Sequence, residues 1–86
     1  MAPDSLTVRL LFLARYGELA GRESAQVVVP APATVQHVLA AMRSQLPATR
    51  TLPERVLCAL NLRQVDPAEP VADGDELALL PPLAGG

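Results

Sequence analysis

Three groups of residues in this chain are of types that can do chemistry. The first is Gly85-Gly86, set after Pro81-Pro82-Leu83-Ala84, which reads as a free α-carboxylate carried by two residues without side chains. The second is the acidic group Asp73, Asp75 and Glu76 around Gly74, and the third consists of two isolated residues, His37 and Cys58. The acidic group could form a paired-carboxylate site, but turn formation and solvation explain it more simply. His37 has neither a second His nor an acidic cluster beside it, so a surface or helix-packing role is expected in place of catalysis or metal binding. Cys58 lies between Leu57 and Ala59 without CxxC or Cys/His spacing, which reads as an inert core thiol suited to a reducing compartment. No metal-ligand set is expected. The carboxylate of Gly86 remains the best candidate for a reacting group, with a frayed terminus that happens to carry glycines as the bland alternative.

Size and charge narrow what that group can belong to. The chain has 86 residues, room for one small domain, and half of them are apolar with Phe12 and Tyr16 as the aromatics. Substrate pockets occupy about 300–1,000 Å³, which a domain of this size rarely encloses without a partner, and this argues against a self-sufficient enzyme. The formal charge is −2, from seven Arg and nine acidic residues without any Lys, and the arginines are scattered from Arg9 to Arg63. That distribution argues against nucleic acid as a partner. The start, Met-Ala-Pro-Asp-Ser, lacks a basic segment followed by an apolar one, and no apolar run approaches the roughly 18 residues needed to cross a bilayer. A soluble, cytoplasmic protein is expected. Without lysine, attachment of another activated carrier to this chain is restricted to its N-terminal amine, whereas Gly86 could still acylate lysines elsewhere.

The elements that must position the terminal group follow from periodicity. Leu6 to Ala14 alternates as a strand, with Val8, Leu10 and Phe12 on one face and Thr7, Arg9, Leu11 and Leu13 on the other. Arg15 to Gly21 reads as a short helical turn capped by glycine, followed by a strand at Gln26-Val27-Val28-Val29 that Pro30 and Pro32 halt. Thr34 is placed to cap a helix in which Val35, Val38, Leu39, Met42 and Leu46 repeat until Pro47. Ala48 to Arg55 reads as a loop, Val56 to Leu62 as a strand and Asn61 as the start of a turn. Asp66-Pro67-Ala68-Glu69-Pro70 and Asp73-Gly74-Asp75 read as turns, and Glu76 to Leu80 as the last strand. Pro81 and Pro82 end that strand and send the remaining residues away as an extended arm. A domain over residues 1–80 with a diglycine tail over 81–86 is therefore expected. Its fold class is α+β, a roll of mixed strands wrapped around one main helix.

Three stretches carry a family resemblance. VRLLFLARYGELAG (residues 8–21), Ala59-Leu60-Asn61 and above all DGDELALLPPLAGG (residues 73–86) resemble the MoaD-type sulfur carriers of the ubiquitin-like superfamily, the small subunits of molybdopterin synthase. The resemblance implies a ubiquitin-like β-grasp roll and a carrier in place of a catalyst. It implies a reaction sequence as well. An adenylating enzyme uses ATP to activate the Gly86 carboxylate, a sulfur donor converts it to a thiocarboxylate, and no cofactor is bound by the carrier itself. The tail, Pro81, Pro82, Leu83, Ala84, Gly85 and Gly86, then inserts into the large synthase subunit, within a heterotetramer, where sulfur passes to a cyclic pyranopterin precursor. The chemistry fits the residue types, because an α-carboxyl group of pKa about 3.3–3.7 is ionised and inert at neutral pH until made a mixed anhydride. Glycine at both last positions removes the Cβ atoms that would obstruct a narrow channel.

Pattern also suggests where a partner would dock. If Leu10, Phe12, Leu77 and Leu79 point into the roll, then Leu11, Leu13, Ala78 and Leu80 point out beside the tail and form an apolar patch. Family members often carry aromatics at the positions of Leu13 and Leu80. No residue reads out the final sulfur acceptor, so a carrier for thiazole or cysteine, a protein modifier joined through Gly86 to lysines, and a plain interaction module all stay open.

Overall fold

The alternation of the first segment is realised as β1, Ser5–Phe12, in the computed structural model of the chain, which describes residues 4–82. Leu6, Val8, Leu10 and Phe12 are buried, and β1 pairs antiparallel with β2, Ser24–Pro30, so that Val8 lies opposite Val27 and Leu6 opposite Val29. Between them stands α1, Arg15–Ala20, capped by Gly21 at φ 75°. Its Gly17 sits so close to the end of β1 that a Cβ there would lie 3.2 Å from the Phe12 carbonyl oxygen. A bare backbone at residue 17 is what lets this short helix fold back onto the strand.

The main helix is α2, Val35–Gln45, and it starts where Thr34 was expected to cap it. The Thr34 hydroxyl accepts from the His37 N–H, and His37 Nδ1 accepts from the Thr34 N–H at 3.0 Å, so two orphan amides are satisfied reciprocally. His37 therefore has a capping role. Val35, Val38, Leu39 and Met42 are buried against the sheet, while Leu46 caps the helix end, half-buried against the core.

The expected loop after α2 differs in one respect: Pro47–Thr51 forms a 3₁₀ helix. Thr49 is wholly buried there, its hydroxyl donating to the Leu46 carbonyl at 2.6 Å, and Leu52 fills the core just beyond. The Pro-Ala-Thr-Arg-Thr segment thus hides one buried hydroxyl that satisfies a helix-end carbonyl. The next strand, β4, is also shorter than expected, Leu57–Leu60 in place of Val56 to Leu62. Asn61 and Leu62 take φ of 49° and 72° and turn the chain into β5, Arg63–Val65. Two successive residues at positive φ end the extended backbone and reverse the chain in a tight hairpin turn, with Leu60 opposite Arg63. Two short strands, β3 (Ala33–Thr34) and β6 (Pro70–Val71), pair separately beside the start of α2.

The last strand, β7 (Glu76–Leu80), occupies the middle of the sheet, whose order is β2-β1-β7-β4-β5. It runs parallel to β1 and antiparallel to β4, with Leu77 and Leu79 wholly buried between Leu10, Phe12, Cys58 and Leu60. The mixed sheet wrapped around one helix is the α+β, ubiquitin-like roll that the resemblance implied. Gln45 closes one end of it. Its side-chain amide accepts from the Val28 N–H and donates to the Val28 carbonyl, at 3.3 and 2.8 Å, on the open edge of β2.

Candidate functional site

Placing the end of β7 correctly depends on the acidic turn before it. Gly74 has φ 87° and donates its N–H to the Thr7 carbonyl at 2.8 Å, a geometry that favours glycine. Asp73 accepts from the Thr7 N–H at 2.7 Å, and Asp75 accepts from the Ala72 N–H and the Asn61 side-chain amide at 2.8 and 3.0 Å. Asn61 in turn accepts from the Glu76 N–H at 3.0 Å. The carboxylates of Asp73 and Asp75 are therefore spent on tying β1, β7 and the β4–β5 turn together. This is a register clamp, and it matches the turn-forming role expected for the acidic group.

With register fixed, the outward face of the sheet follows from pairing. Leu11 lies beside Ala78, Ala78 opposite Ala59, and Leu80 opposite Leu57, with their inward neighbours buried in the core. Leu13, just past β1, donates its N–H to the Leu79 carbonyl and is 39% exposed. Leu57 is 45% exposed, and Leu11, Ala59, Ala78 and Leu80 are half-buried. The structure thus brings Leu11, Leu13, Ala78 and Leu80 to the face where the sequence placed them. It adds Leu57 and Ala59, whose side of β4 was legible in its alternation but whose neighbours required the strand register. Opposite β-strand residues have Cβ atoms about 4.5–5.5 Å apart, so these side chains form one continuous apolar surface.

Pro81 and Pro82 leave β7 at the rim of that surface, half-buried and exposed respectively. Pro82 also borders a groove lined by Leu39, Arg43, Arg55, Leu57 and Val65 on the helix side. Leu83, Ala84, Gly85 and Gly86, on which the expected reacting group falls, lie outside the described residues.

The isolated residues do not gather into a second site. Cys58 is buried, with its thiol pushed up to about 11 by burial, against a smaller opposing pull from the Arg43 charge. At neutral pH it is a thiol and not a thiolate, consistent with an inert core residue. Arg15 lies over the Tyr16 ring at 6.0 Å. The ion pairs among the described residues are Arg9–Glu76 and Arg63–Glu69, so Arg15 and Glu18 form no pair. Among the described residues no three His, Cys, Asp or Glu side chains converge as metal ligands, and no helix is long and apolar enough to cross a membrane.

Comparison with known proteins bears on this geometry. The chain matches the model of the ThiS family over residues 10–86. It is 34% identical over 82 residues to a molybdopterin synthase sulfur carrier subunit of Escherichia coli, covering 92% of this chain and 99% of that one. A molybdopterin synthase sulfur carrier subunit of Arabidopsis thaliana is 30% identical over 83 residues, covering 96% and 86% of the two chains. Among solved structures, SAMP1 from Haloferax volcanii superposes with a TM-score of 0.80 at 31% identity, covering 93% of this chain and 99% of that one.

Proposed function

We propose, for a chain that belongs to the ThiS family, that it is the sulfur carrier subunit of a molybdopterin synthase and that its Gly86 carboxylate is the loaded group. The observation that carries this reading is likeness over almost the whole chain, 92% and 96% of it, to two proteins named as such subunits. The family match extends to residue 86 and so takes in the diglycine.

The chemistry follows in two displacements. The ionised carboxylate attacks the α-phosphorus of ATP within a separate activating enzyme, forming an acyl-adenylate and releasing pyrophosphate. Hydrosulfide supplied by a sulfur donor then attacks the carbonyl carbon, the bond to the phosphate oxygen breaks, and AMP leaves with the electron pair. The sulfur of the resulting thiocarboxylate forms a C–S bond to a carbon of a cyclic pyranopterin precursor in the large subunit, displacing oxygen from it, and water then cleaves the acyl C–S bond and returns the Gly86 carboxylate. The chain itself binds no cofactor in this scheme. Its own residues supply presentation: β7 holds Pro81 and Pro82 at the rim of the Leu11, Leu13, Leu57, Ala78 and Leu80 face. That face is the proposed docking surface for the large subunit, in a heterotetramer, and for the activating enzyme. The buried, protonated Cys58 suits a reducing cytoplasm.

Two variants separate loading from docking. Removal of Gly85-Gly86 is expected to abolish cofactor production in cells while leaving the fold and the binding of the large subunit intact. Leu80→Asp is expected to lose that subunit in a pull-down while its circular dichroism stays unchanged. Undiminished cofactor production without the diglycine would end the proposal.

A second reading has one specific observation behind it, the likeness to SAMP1, described as a small archaeal modifier protein. In that reading the acyl-adenylate is taken by a lysine of a target protein. Conjugates much heavier than the chain, in place of a thiocarboxylate, would mark it.

A further inference from the structure

A protein that carries an activated acyl end is exposed to capture by nucleophiles on its own copies, and the surface of this chain bears on that hazard. All seven of its basic side chains are arginine. Arg9, Arg15, Arg22, Arg50, Arg55 and Arg63 are exposed and Arg43 is half-buried. Arginine is irreplaceable where its planar fork grips a carboxylate through two nitrogens. Among the described residues none of the exposed arginines does this. Arg9 reaches Glu76 through Nε at 4.0 Å, and Arg63 reaches Glu69 through one terminal nitrogen at 3.2 Å, contacts that a lysine ammonium could also make. What these side chains share, and lysine lacks, is a delocalised guanidinium whose nitrogens do not attack carbonyl carbon.

Two of the remaining side-chain nucleophiles are withheld by the fold. The Cys58 sulfur is buried on the inner face of β4, 3% exposed, and burial holds it as a thiol. The Tyr16 hydroxyl is enclosed in the core. His37 directs Nδ1 at the Thr34 N–H, and an acylated imidazole hydrolyses. Serine and threonine hydroxyls attack acyl groups poorly without a neighbouring base, and the Thr34 hydroxyl, 3.2 Å from His37 Nδ1, is half-buried and engaged by the His37 N–H.

We infer that the folded chain is a donor whose side chains cannot act as acceptors, so that the activated Gly86 carbonyl of one copy is not lost to the side chains of another. The inference rests on the carrier reading above. The reaction it prevents is simple aminolysis. A lysine nitrogen would attack the Gly86 carbonyl carbon, a C–N bond would form, the bond to AMP or to a thiol sulfur would break with that group taking the electron pair, and the nitrogen's proton would pass to solvent.

The test uses the full chain carrying a Gly86 thioester, made by thiolysis of an intein fusion, and compares the natural sequence with Arg55→Lys, Arg63→Lys and the double variant. Added free lysine is the control for a live acyl end, and intact mass with peptide mapping is the readout. The natural chain is expected to show no cross-link at any side chain, while each lysine variant accumulates a species of two chains joined Gly86-to-lysine, with more from the double variant. Circular dichroism should be unchanged in all four. Lysine variants that stay as free of side-chain cross-links as the natural chain would overturn the inference, as would acylation of Cys58 or another native side chain. Transfer to free lysine in every sample establishes that the acyl end is live, so the presence or absence of side-chain cross-links reports on the acceptors and not on the carrier reading, which the diglycine deletion tests separately.

Discussion

Tyr16 is the largest of the wholly buried side chains, and its hydroxyl has no hydrogen-bond partner among the described residues. Burying an unpaired hydroxyl costs about 1–3 kcal/mol, so Tyr16→Phe, which keeps the ring and removes the polar atom, is expected to raise unfolding stability by about 1 kcal/mol. Urea denaturation checks this, and a loss of stability would mean that the hydroxyl does have a partner. At this scale the sequence was informative where a residue's chemistry is local. Cys58 between two apolar neighbours reads as inert, and Thr34 just ahead of the Val35 to Leu46 apolar repeat reads as a cap. It was silent where meaning depends on distant partners. Nothing beside Asp73 or Asp75 says that their carboxylates accept from Thr7 and Asn61, since those contacts exist only once β1, β4 and β7 are adjacent.

The open edge of β2 is the element most in need of protection, because an unpaired strand edge invites another chain to add to it. Pro30 ends the strand without a donor, and Gln45, at the last position of α2, satisfies both backbone groups of Val28. Gln45→Ala is expected to destabilise the fold by about 1 kcal/mol, within the range for hydrogen bonds of this kind, and to increase self-association through the bared edge. Sedimentation at rising concentration measures the second effect, and a strictly monomeric variant would show that Pro30 and the adjoining chain suffice. The long elements were legible because their apolar residues repeat at helix or strand spacing. The short ones were not. β3, β5 and β6 have two or three residues each, too few for a period, and the five-residue 3₁₀ helix, Pro-Ala-Thr-Arg-Thr, buries only a threonine and so shows no apolar repeat.

For the whole molecule, the decisive feature is that the last strand lies in the middle of the sheet. A strand held on both sides by β1 and β4 cannot fray, so the residues after Leu80 start from a fixed point at the rim of an apolar face. Four residues of that face could be read from alternation in β1 and β7. Leu57 and Ala59 could not, because their membership depends on β4 pairing with β7 in one register. The tail's chemistry, by contrast, was legible from residue types and family resemblance alone, and it is the part of the account that the fold serves. The most direct test of that service is the intact mass of the chain isolated from cells making molybdenum cofactor, with its C-terminal peptide sequenced by fragmentation. The account predicts a fraction heavier by the difference between one sulfur and one oxygen atom, with the change confined to Gly86. A chain found entirely as the carboxylate while the cofactor is being made, or with sulfur on any other residue, would contradict it.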